Sequence, residues 1–161
     1  MNPYVSIIIP AYNEENKIKD TLLGVVDIEE INEIIVVDDG SSDNTEKAAK
    51  SIVNDKIKVF KLDRNRGKGY ALNYGLKKAM ENADIIGFLD GDLGSSSSET
   101  IKLIKPVINN EVDVTIAKFP PAKKKGGMGF VKRLAKDSVF EMTGVELDAT
   151  ISGQRIFKKE V

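Results

Sequence analysis

The chain has 161 residues, of which 41% are hydrophobic, so its length and composition predict a single domain with one buried core. It contains no cysteine and no histidine, which excludes thiol nucleophiles, zinc sites of the usual His/Cys kind and mechanisms that need an imidazole base. With 24 basic and 25 acidic residues the formal charge is -1, and this balance predicts no nucleic-acid partner.

Short apolar runs rich in β-branched residues alternate along the chain with longer stretches of helical period. Strands are predicted at residues 5–9, 33–37, 57–62, 85–89 and 112–117. Helices are predicted at residues 15–26, from about residue 45 onward, and at residues 69–81. This order is typical of βα units, and it predicts an α/β fold with a mostly parallel sheet flanked by helices.

Two later segments have a distinctive composition. The serine run at 95–98, followed by Glu99, indicates the capped start of another helix. The prolines, glycines and lysines of residues 118–129 predict a mobile loop, and Ile156 and Phe157 form a last short apolar pair. The chain begins without a basic leader and has no apolar run of about 20 residues, which predicts a cytoplasmic protein.

Acidic and small residues follow three of the predicted strands. In open α/β sheets, ligands bind beyond the carboxyl ends of the strands, so these positions are the candidates for a site. The first strand leads into residues 10–14 (Pro-Ala-Tyr-Asn-Glu), the second into 38–41 (Asp-Asp-Gly-Ser) and the fourth into 90–92 (Asp-Gly-Asp). At least four carboxylates therefore approach one rim of the sheet, and their mutual repulsion predicts a divalent cation among them.

Asp90 and Asp92 are the predicted metal ligands. They stand two residues apart, so both side chains lie on the same side if the segment is extended, and Gly91 lets a ligand approach the backbone. Mg²⁺ and Mn²⁺ prefer oxygen ligands and are commonly held by one or two carboxylates together with substrate phosphates. An isolated triplet of this kind is more often a solvated turn, but its place directly after an apolar strand favours a functional site.

The acidic loop after the second strand has two interpretations, which both apply in part. Asp43 or Asn44 is predicted to cap the next helix. The acids at the strand end itself can accept hydrogen bonds from a base or a ribose hydroxyl, as acids do in other nucleotide-binding sheets.

Lys68, between Gly67 and Gly69, is a candidate phosphate contact, although its motif matches neither common phosphate-binding pattern. Leu62 stands at the first glycine position of a P-loop, and Leu72 at the third small position of the dinucleotide fingerprint. The two glycines still allow close backbone approach, and a lysine near a helix N-terminus favours anions. A plain helix start explains the motif equally well.

In this order and spacing, residues 5–15, 36–43, 67–69 and 89–93 resemble the family 2 glycosyltransferases, which have the Rossmann-like GT-A fold. Within that family the chain is most similar to the dolichyl- or polyprenyl-phosphate sugar transferases, because residues 145–157 resemble their Asp, Ser-Gly and Arg segment. The resemblance covers nearly the whole chain, so residues 1–161 are interpreted as a nucleotide-sugar-binding domain. These enzymes usually carry a further strand and helices, and we expect the chain to lack that C-terminal part.

The resemblance also implies roles for individual residues. Pro10, Tyr12 and Glu14 would contact base and ribose, and Val37 and Asp39 would close the base pocket. Asp90 and Asp92 would form the DxD motif that holds metal and diphosphate, in an inverting reaction with Asp92 and Asp148 as catalytic residues. The complete predicted nucleotide-sugar site consists of Pro10, Ala11, Tyr12, Glu14, Val37, Asp39, Lys68, Asp90, Gly91, Asp92 and Lys118.

Two acceptor chemistries stay open. A polyprenyl phosphate at the membrane surface is already anionic and needs no general base, and the lysines at 123–125 could bind it or acidic headgroups, although a charge run is also typical of a solvated surface. A hydroxyl acceptor needs a carboxylate to take its proton, and Asp148 is the candidate. A module that binds nucleotide sugars without catalysis is a further alternative.

Overall fold

The structure is a computed structural model, and it describes residues 2–118 and 153–161. In these residues one sheet contains the strands β1 Val5–Ala11, β2 Glu33–Asp38, β3 Ile57–Lys61, β4 Ile85–Phe88, β5 Val114–Ile116 and β6 Arg155–Lys158. The helices are α1 Ile18–Val26, α2 Thr45–Lys50, α3 Lys68–Ala79 and α4 Ile101–Ile108. A 3-10 helix, Gly94–Thr100, runs directly into α4, so a helix does begin at the serine run, but no side-chain hydrogen bond caps it and that part of the prediction is wrong.

The strand order is β3-β2-β1-β4-β6-β5. The pairs β1–β2, β1–β4 and β2–β3 are parallel, whereas β6 is antiparallel to both of its neighbours, β4 and β5. The predicted mostly parallel sheet with flanking helices is therefore confirmed. The sequence did not predict that the last apolar pair, Ile156 and Phe157, would enter the sheet between β4 and β5.

Helices cover both faces of the sheet, which explains why its central strands have continuous apolar runs. Ile7 and Ile9 point to the face covered by α1, α2 and α4, while Ile8 points to the face covered by α3. On that second face, a Cβ at Gly75 would lie 2.5 Å from Ile8 Cγ2, so this glycine lets α3 lie close against β1. No helix in residues 2–118 and 153–161 is long and apolar enough to cross a membrane.

Candidate active site

An open cleft of about 420 Å³ lies at the carboxyl ends of β1, β2 and β4. Nine of its lining residues belong to the predicted nucleotide-sugar site, and two do not. The lining residues are Pro10, Ala11, Tyr12, Glu14, Asp39, Asn65, Gly67, Lys68, Asp90, Gly91 and Asp92. The convergence follows from the parallel arrangement of the three strands, whose ends meet at the same edge of the sheet.

The end of β1 is held between the two other strand ends. The N–H of Asp39 donates to the carbonyl of Ala11 at 2.8 Å, and on the opposite side the N–H of Leu89 donates to the carbonyl of Ile8 at 3.1 Å. These bonds extend the sheet up to the cleft, so that the acidic residues after β2 and β4 are placed on either side of β1.

Lys68, at the start of α3, forms an ion pair with the carboxylate of Asp90. A Cβ at Gly153 would lie 2.9 Å from Lys68 Nζ and 3.0 Å from Asp90 Oδ1, so the chain leading into β6 passes directly beside this pair. Only a residue without a side chain fits there while the pair keeps its position.

Asp92 lies on the exposed side of the same loop. In the described part of the chain its carboxylate accepts no hydrogen bond and forms no ion pair. Burial raises the pKa of the neighbouring Glu14 carboxyl above its ordinary value, and the negative charge of Asp92 raises it further, while Lys17 acts in the opposite direction. Glu14 and Asp92 therefore place two negative charges near each other at this side of the cleft.

Asp39 is only 3% exposed, and its carboxylate fixes the loop that leads into α3. Oδ1 accepts the N–H of Arg66 at 2.9 Å, and Oδ2 accepts the N–H of Gly67 at 2.8 Å. Asn65 Oδ1 also accepts the Gly67 N–H, at 2.9 Å. Sequence reasoning missed Asn65 as a lining residue, because its place two residues before Gly67 is the only signal that marks it.

The remaining acids after β2 are engaged with the backbone. Asp38 is fully buried, and its Oδ1 accepts the N–H of Ser41 at 2.8 Å. Asp43 Oδ1 accepts the N–H of Thr45 at 3.0 Å, but the N-cap position of α2 is Asn44 and its side chain makes no capping hydrogen bond, so the predicted cap is not formed. Burial acts to raise the Asp43 pKa, and the hydrogen bonds from Thr45 and Glu15 outweigh it and hold the pKa below its ordinary value. The Asn44 side chain donates to Glu15 instead.

Two predicted site residues lie away from the cleft. Val37 is fully buried in the core beneath α3, with its Cγ2 3.3 Å from the position of a Cβ at Gly75. Lys118 follows β5 and lines a separate cleft of about 230 Å³ together with Lys102 and Gln154. Asp148 and the lysines at 123–125 lie outside the described residues, so their predicted roles remain predictions.

The carboxylates that line the cleft suit a cation whose other ligands are substrate phosphate and water. Within residues 2–118 and 153–161 no group of three or more His, Cys, Asp or Glu side chains is placed to hold a metal ion. Asp90 and Asp92 can supply two carboxylates, which is the usual protein contribution to a Mg²⁺ site completed by phosphate and water. The unpartnered carboxylate of Asp92 fits this arrangement.

Comparison with known proteins gives one family and several relatives. The sequence model of glycosyl transferase family 2 matches residues 6–150. The chain is 32% identical to a UDP-N-acetylglucosamine–dolichyl-phosphate N-acetylglucosaminyltransferase of Methanococcus voltae, over 96% of this chain and 69% of that protein.

Solved structures of glucosyl-3-phosphoglycerate synthase from Mycobacterium tuberculosis are similar in fold. One, in complex with Mn²⁺, UDP-glucose and phosphoglyceric acid, superposes with a TM-score of 0.76 at 25% identity. Another, in complex with Mg²⁺ and UDP, has a TM-score of 0.74 at 25% identity. In both cases the match covers 98% of this chain and 57% of the synthase chain, so this chain spans little more than half the length of that enzyme.

Proposed function

The chain belongs to glycosyl transferase family 2 and has the GT-A fold, and from this premise we propose that it transfers a sugar, with inversion, from a nucleoside-diphosphate sugar to a polyprenyl phosphate. The observation that carries the proposal is the placement of Asp90, Asp92 and Lys68 in one cleft with Tyr12 and Asp39. Acidic metal ligands, a phosphate-binding cation and candidate nucleoside contacts thus share a single cavity.

The nucleoside is proposed to lie at the β1–β2 side of the cleft. Tyr12 is 45% exposed and offers an aromatic face, while Asp39 offers a buried carboxylate at the floor of the cleft. Pro10, Ala11 and Glu14 complete this side. The diphosphate is proposed to lie at the β4 side, against Lys68 and the loop of Asp90, Gly91 and Asp92. The UDP and UDP-glucose bound by the Mycobacterium synthase support this choice of ligand class.

The chemical difficulty in sugar transfer is the departure of the nucleoside diphosphate, whose negative charge grows as the bond to the sugar breaks. Mg²⁺ or Mn²⁺ held by Asp90 and Asp92 would supply Lewis-acid stabilisation of that charge. The ammonium group of Lys68 already lies against Asp90, and it adds positive charge at the same place. Direct displacement by the acceptor inverts the configuration of the sugar.

A polyprenyl-phosphate acceptor is supported by the relative from Methanococcus voltae, whose name specifies dolichyl phosphate. A phosphate oxygen is anionic near neutral pH and needs no general base, which agrees with a sequence that contains no histidine. The lysines at 123–125 are the proposed contacts for the acceptor phosphate, and the protein would then work at the membrane surface. The phosphoglyceric acid bound by the Mycobacterium synthase favours a second candidate, a soluble acceptor with Asp148 as base.

The proposal is tested first by donor binding and then by transfer. UDP, GDP and dTDP sugars are screened for thermal stabilisation of the protein with and without Mn²⁺, and we expect one nucleotide series to stabilise it only with metal. The donor so identified is then incubated with polyprenyl phosphate or with phosphoglyceric acid. Transfer to the lipid supports the proposal, and transfer to the soluble acid alone supports the second candidate. Metal-dependent binding without transfer to any acceptor would identify a binding module.

A further inference from the structure

A buried hydroxyl on α1 holds the loop that carries the predicted metal ligands. Thr21 is fully buried, and its Oγ1 donates to the carbonyl of Gly91 at 2.9 Å and accepts the N–H of Gly94 at 2.8 Å. In a four-residue turn, the first carbonyl and the fourth N–H ordinarily bond to each other. Here the Thr21 hydroxyl lies between these two groups, which a hydroxyl can do because it both donates and accepts.

The position of Thr21 is itself fixed by the packing of α1 against the 3-10 helix. Ser97 is buried, and its hydroxyl donates to the carbonyl of Thr21 at 2.8 Å. One helical turn further along, a Cβ at Gly24 would lie 2.1 Å from Ser97 Oγ, so the two helices approach this closely only because residue 24 is glycine. Thr21 therefore has little freedom to follow the loop if the loop moves.

On its opposite side the loop is packed against β1. A Cβ at Gly91 would lie 3.2 Å from the carbonyl oxygen of Pro10 and 3.3 Å from Ala11 Cβ. Asp92 thus stands between two points, Gly91 and Gly94, that Thr21 ties to α1. Thr21 does not line the cleft, so any effect that it has on a ligand must act through this loop.

We propose that Thr21 is a positioning residue of the active site, whose hydroxyl sets the direction of the Asp92 carboxylate relative to Asp90. The inference rests on the proposed function, in which these two carboxylates hold a divalent cation. One other side chain bonds to the backbone of this loop in the described part of the chain: the Ser96 hydroxyl donates to the Leu93 carbonyl at 2.7 Å, and it leaves the Gly91 carbonyl and the Gly94 N–H to Thr21. Without the Thr21 hydroxyl, the buried carbonyl of Gly91 and the N–H of Gly94 must find new partners, and the loop must rearrange.

The test compares Thr21→Val, which keeps the shape but lacks the hydroxyl, with Thr21→Ser, which keeps the hydroxyl. Mn²⁺ is titrated by calorimetry into the full chain at saturating UDP, and UDP is titrated separately in the presence of a chelator. Loss of a residue that orients metal ligands typically costs about 10-fold to 100-fold in metal affinity, and we expect Thr21→Val to weaken Mn²⁺ binding by this factor. Thr21→Ser should restore most of it, and metal-free UDP binding should be equal in all three proteins.

Thr115→Val is the matched control, because the Thr115 hydroxyl donates to the carbonyl of Leu103 at 2.8 Å, between β5 and α4 and away from the cleft. It should lower the thermal stability without changing Mn²⁺ affinity. Wild-type Mn²⁺ affinity in Thr21→Val, or a Thr21→Ser variant as weak as Thr21→Val, would overturn the inference.

If Thr21→Val does not fold, Thr21→Ala is used instead, because it also lacks the hydroxyl but places no extra methyl group beside the loop. Unfolding of both variants would also overturn the inference, because Thr21 would then be a requirement of the fold. Failure of the proposed function has a different signature: the wild-type protein itself would not bind Mn²⁺ with UDP.

Discussion

Two acidic loops at the same rim of the sheet look alike in sequence and differ in structure. The β2 loop, residues 38–45, and the β4 loop, residues 89–94, both place aspartates and a glycine directly after an apolar strand. In the β2 loop, Asp38, Asp39 and Asp43 all accept backbone N–H groups. In the β4 loop, Asp90 meets a lysine side chain and Asp92 faces the cleft.

The difference shows what decides the role of a strand-end carboxylate. A carboxylate that accepts backbone N–H groups helps to hold the scaffold, because those hydrogen bonds stabilise its charge and fix its direction. A carboxylate that faces a cleft beside other negative charges, as Asp92 does near Glu14, is available to a cation. We therefore expect substitutions in the β4 loop to change ligand binding without loss of stability, and substitutions in the β2 loop to change both.

The largest expected effect is that of Asp92→Asn. Since the amide is a poor ligand for a hard cation and the side chain is exposed, we expect metal-dependent UDP affinity to fall by about 100-fold or more with no loss of thermal stability. Calorimetry with UDP and Mn²⁺ measures the affinity. Asp55→Asn, at an exposed turn before β3, is the control and should bind as wild type. If a folded Asp92→Asn protein bound UDP and Mn²⁺ with wild-type affinity, the β4 loop would not be the metal-binding loop and would not differ from the β2 loop in this respect.

Asp39→Ala should affect both stability and binding. It leaves the N–H groups of Arg66 and Gly67 without their carboxylate acceptor, and we expect a loss of about 2 kcal/mol in the free energy of unfolding and about 10-fold weaker nucleotide binding. The affinities for UDP and for the complete sugar donor should fall by a similar factor, because Asp39 is proposed to contact the nucleoside.

Asp63→Ala is the matched control for this substitution. Asp63 belongs to the loop before α3 that Asp39 holds, and its ion pair is with the exposed Arg66 side chain, so stability and nucleotide affinity should both stay near wild type. A fall in donor affinity alone in Asp39→Ala would mean that the residue contacts the sugar, contrary to the proposed orientation.

Lys68→Met tests whether the lysine and the cation compete for Asp90. Removal of the ammonium group should tighten Mn²⁺ binding in the absence of nucleotide by up to about fivefold, since an exposed ion pair contributes at most about 1 kcal/mol. Binding of Mn²⁺ with UDP should weaken instead, because the lysine then interacts with the diphosphate. Equal shifts of the same sign in the two titrations would contradict this role.

The smallest expected effect is that of Glu46→Gln at the start of α2. The hydrogen bond from Lys50 lowers the pKa of Glu46 below its ordinary value of 4.5, and Lys61 adds to this effect while burial opposes it. A lowered folded-state pKa contributes stability that is present above pH 4.5 and is lost as the pH falls through the folded-state value.

Because solvent screens these pairs, Glu46→Gln should lose less than about 1 kcal/mol at pH 7, and the difference from wild type should disappear in acid. Urea unfolding at several pH values measures it. UDP affinity should not change, and a change would mean that the helix after the β2 loop takes part in the site.

The cleft could be predicted from sequence because its parts are local. Each of β1, β2 and β4 is a continuous apolar run, and the residues that follow such runs meet at one edge when the strands are parallel. Tyr12, Asp39 and Asp92 could therefore be predicted as site residues, because each follows one of three apolar runs and each run can be recognised by itself.

The position of Lys118 could not be predicted in this way, because it depends on β6. That strand has four residues, and no local pattern indicates that it pairs antiparallel with β4 and β5. Its insertion separates β5 from β4 by two strand spacings, about 10 Å, so Lys118 lines a different cleft from Asp90. The same insertion brings Gly153 beside the pair of Lys68 and Asp90.

Val37 and Thr21 show a second limit of sequence reasoning. Both are buried, and burial on a particular face depends on which helix covers that face. Val37 lies beneath α3 and is part of the core, although the family resemblance implies a pocket residue there. Thr21 has no motif around it, and only its distances to Gly91 and Gly94 connect it with the site.

The central claim is that the β4 loop, and not the β2 loop, holds the cation on which nucleotide binding depends. The most direct test is a crystal structure of the chain with UDP and Mn²⁺, in which anomalous scattering locates the manganese. We expect a single strong manganese peak in contact with Asp92 or Asp90 and with the diphosphate, and Lys68 moved from Asp90 toward a phosphate oxygen. Bound UDP with manganese at Asp38 or Asp43, or with no manganese in the cleft, would contradict it.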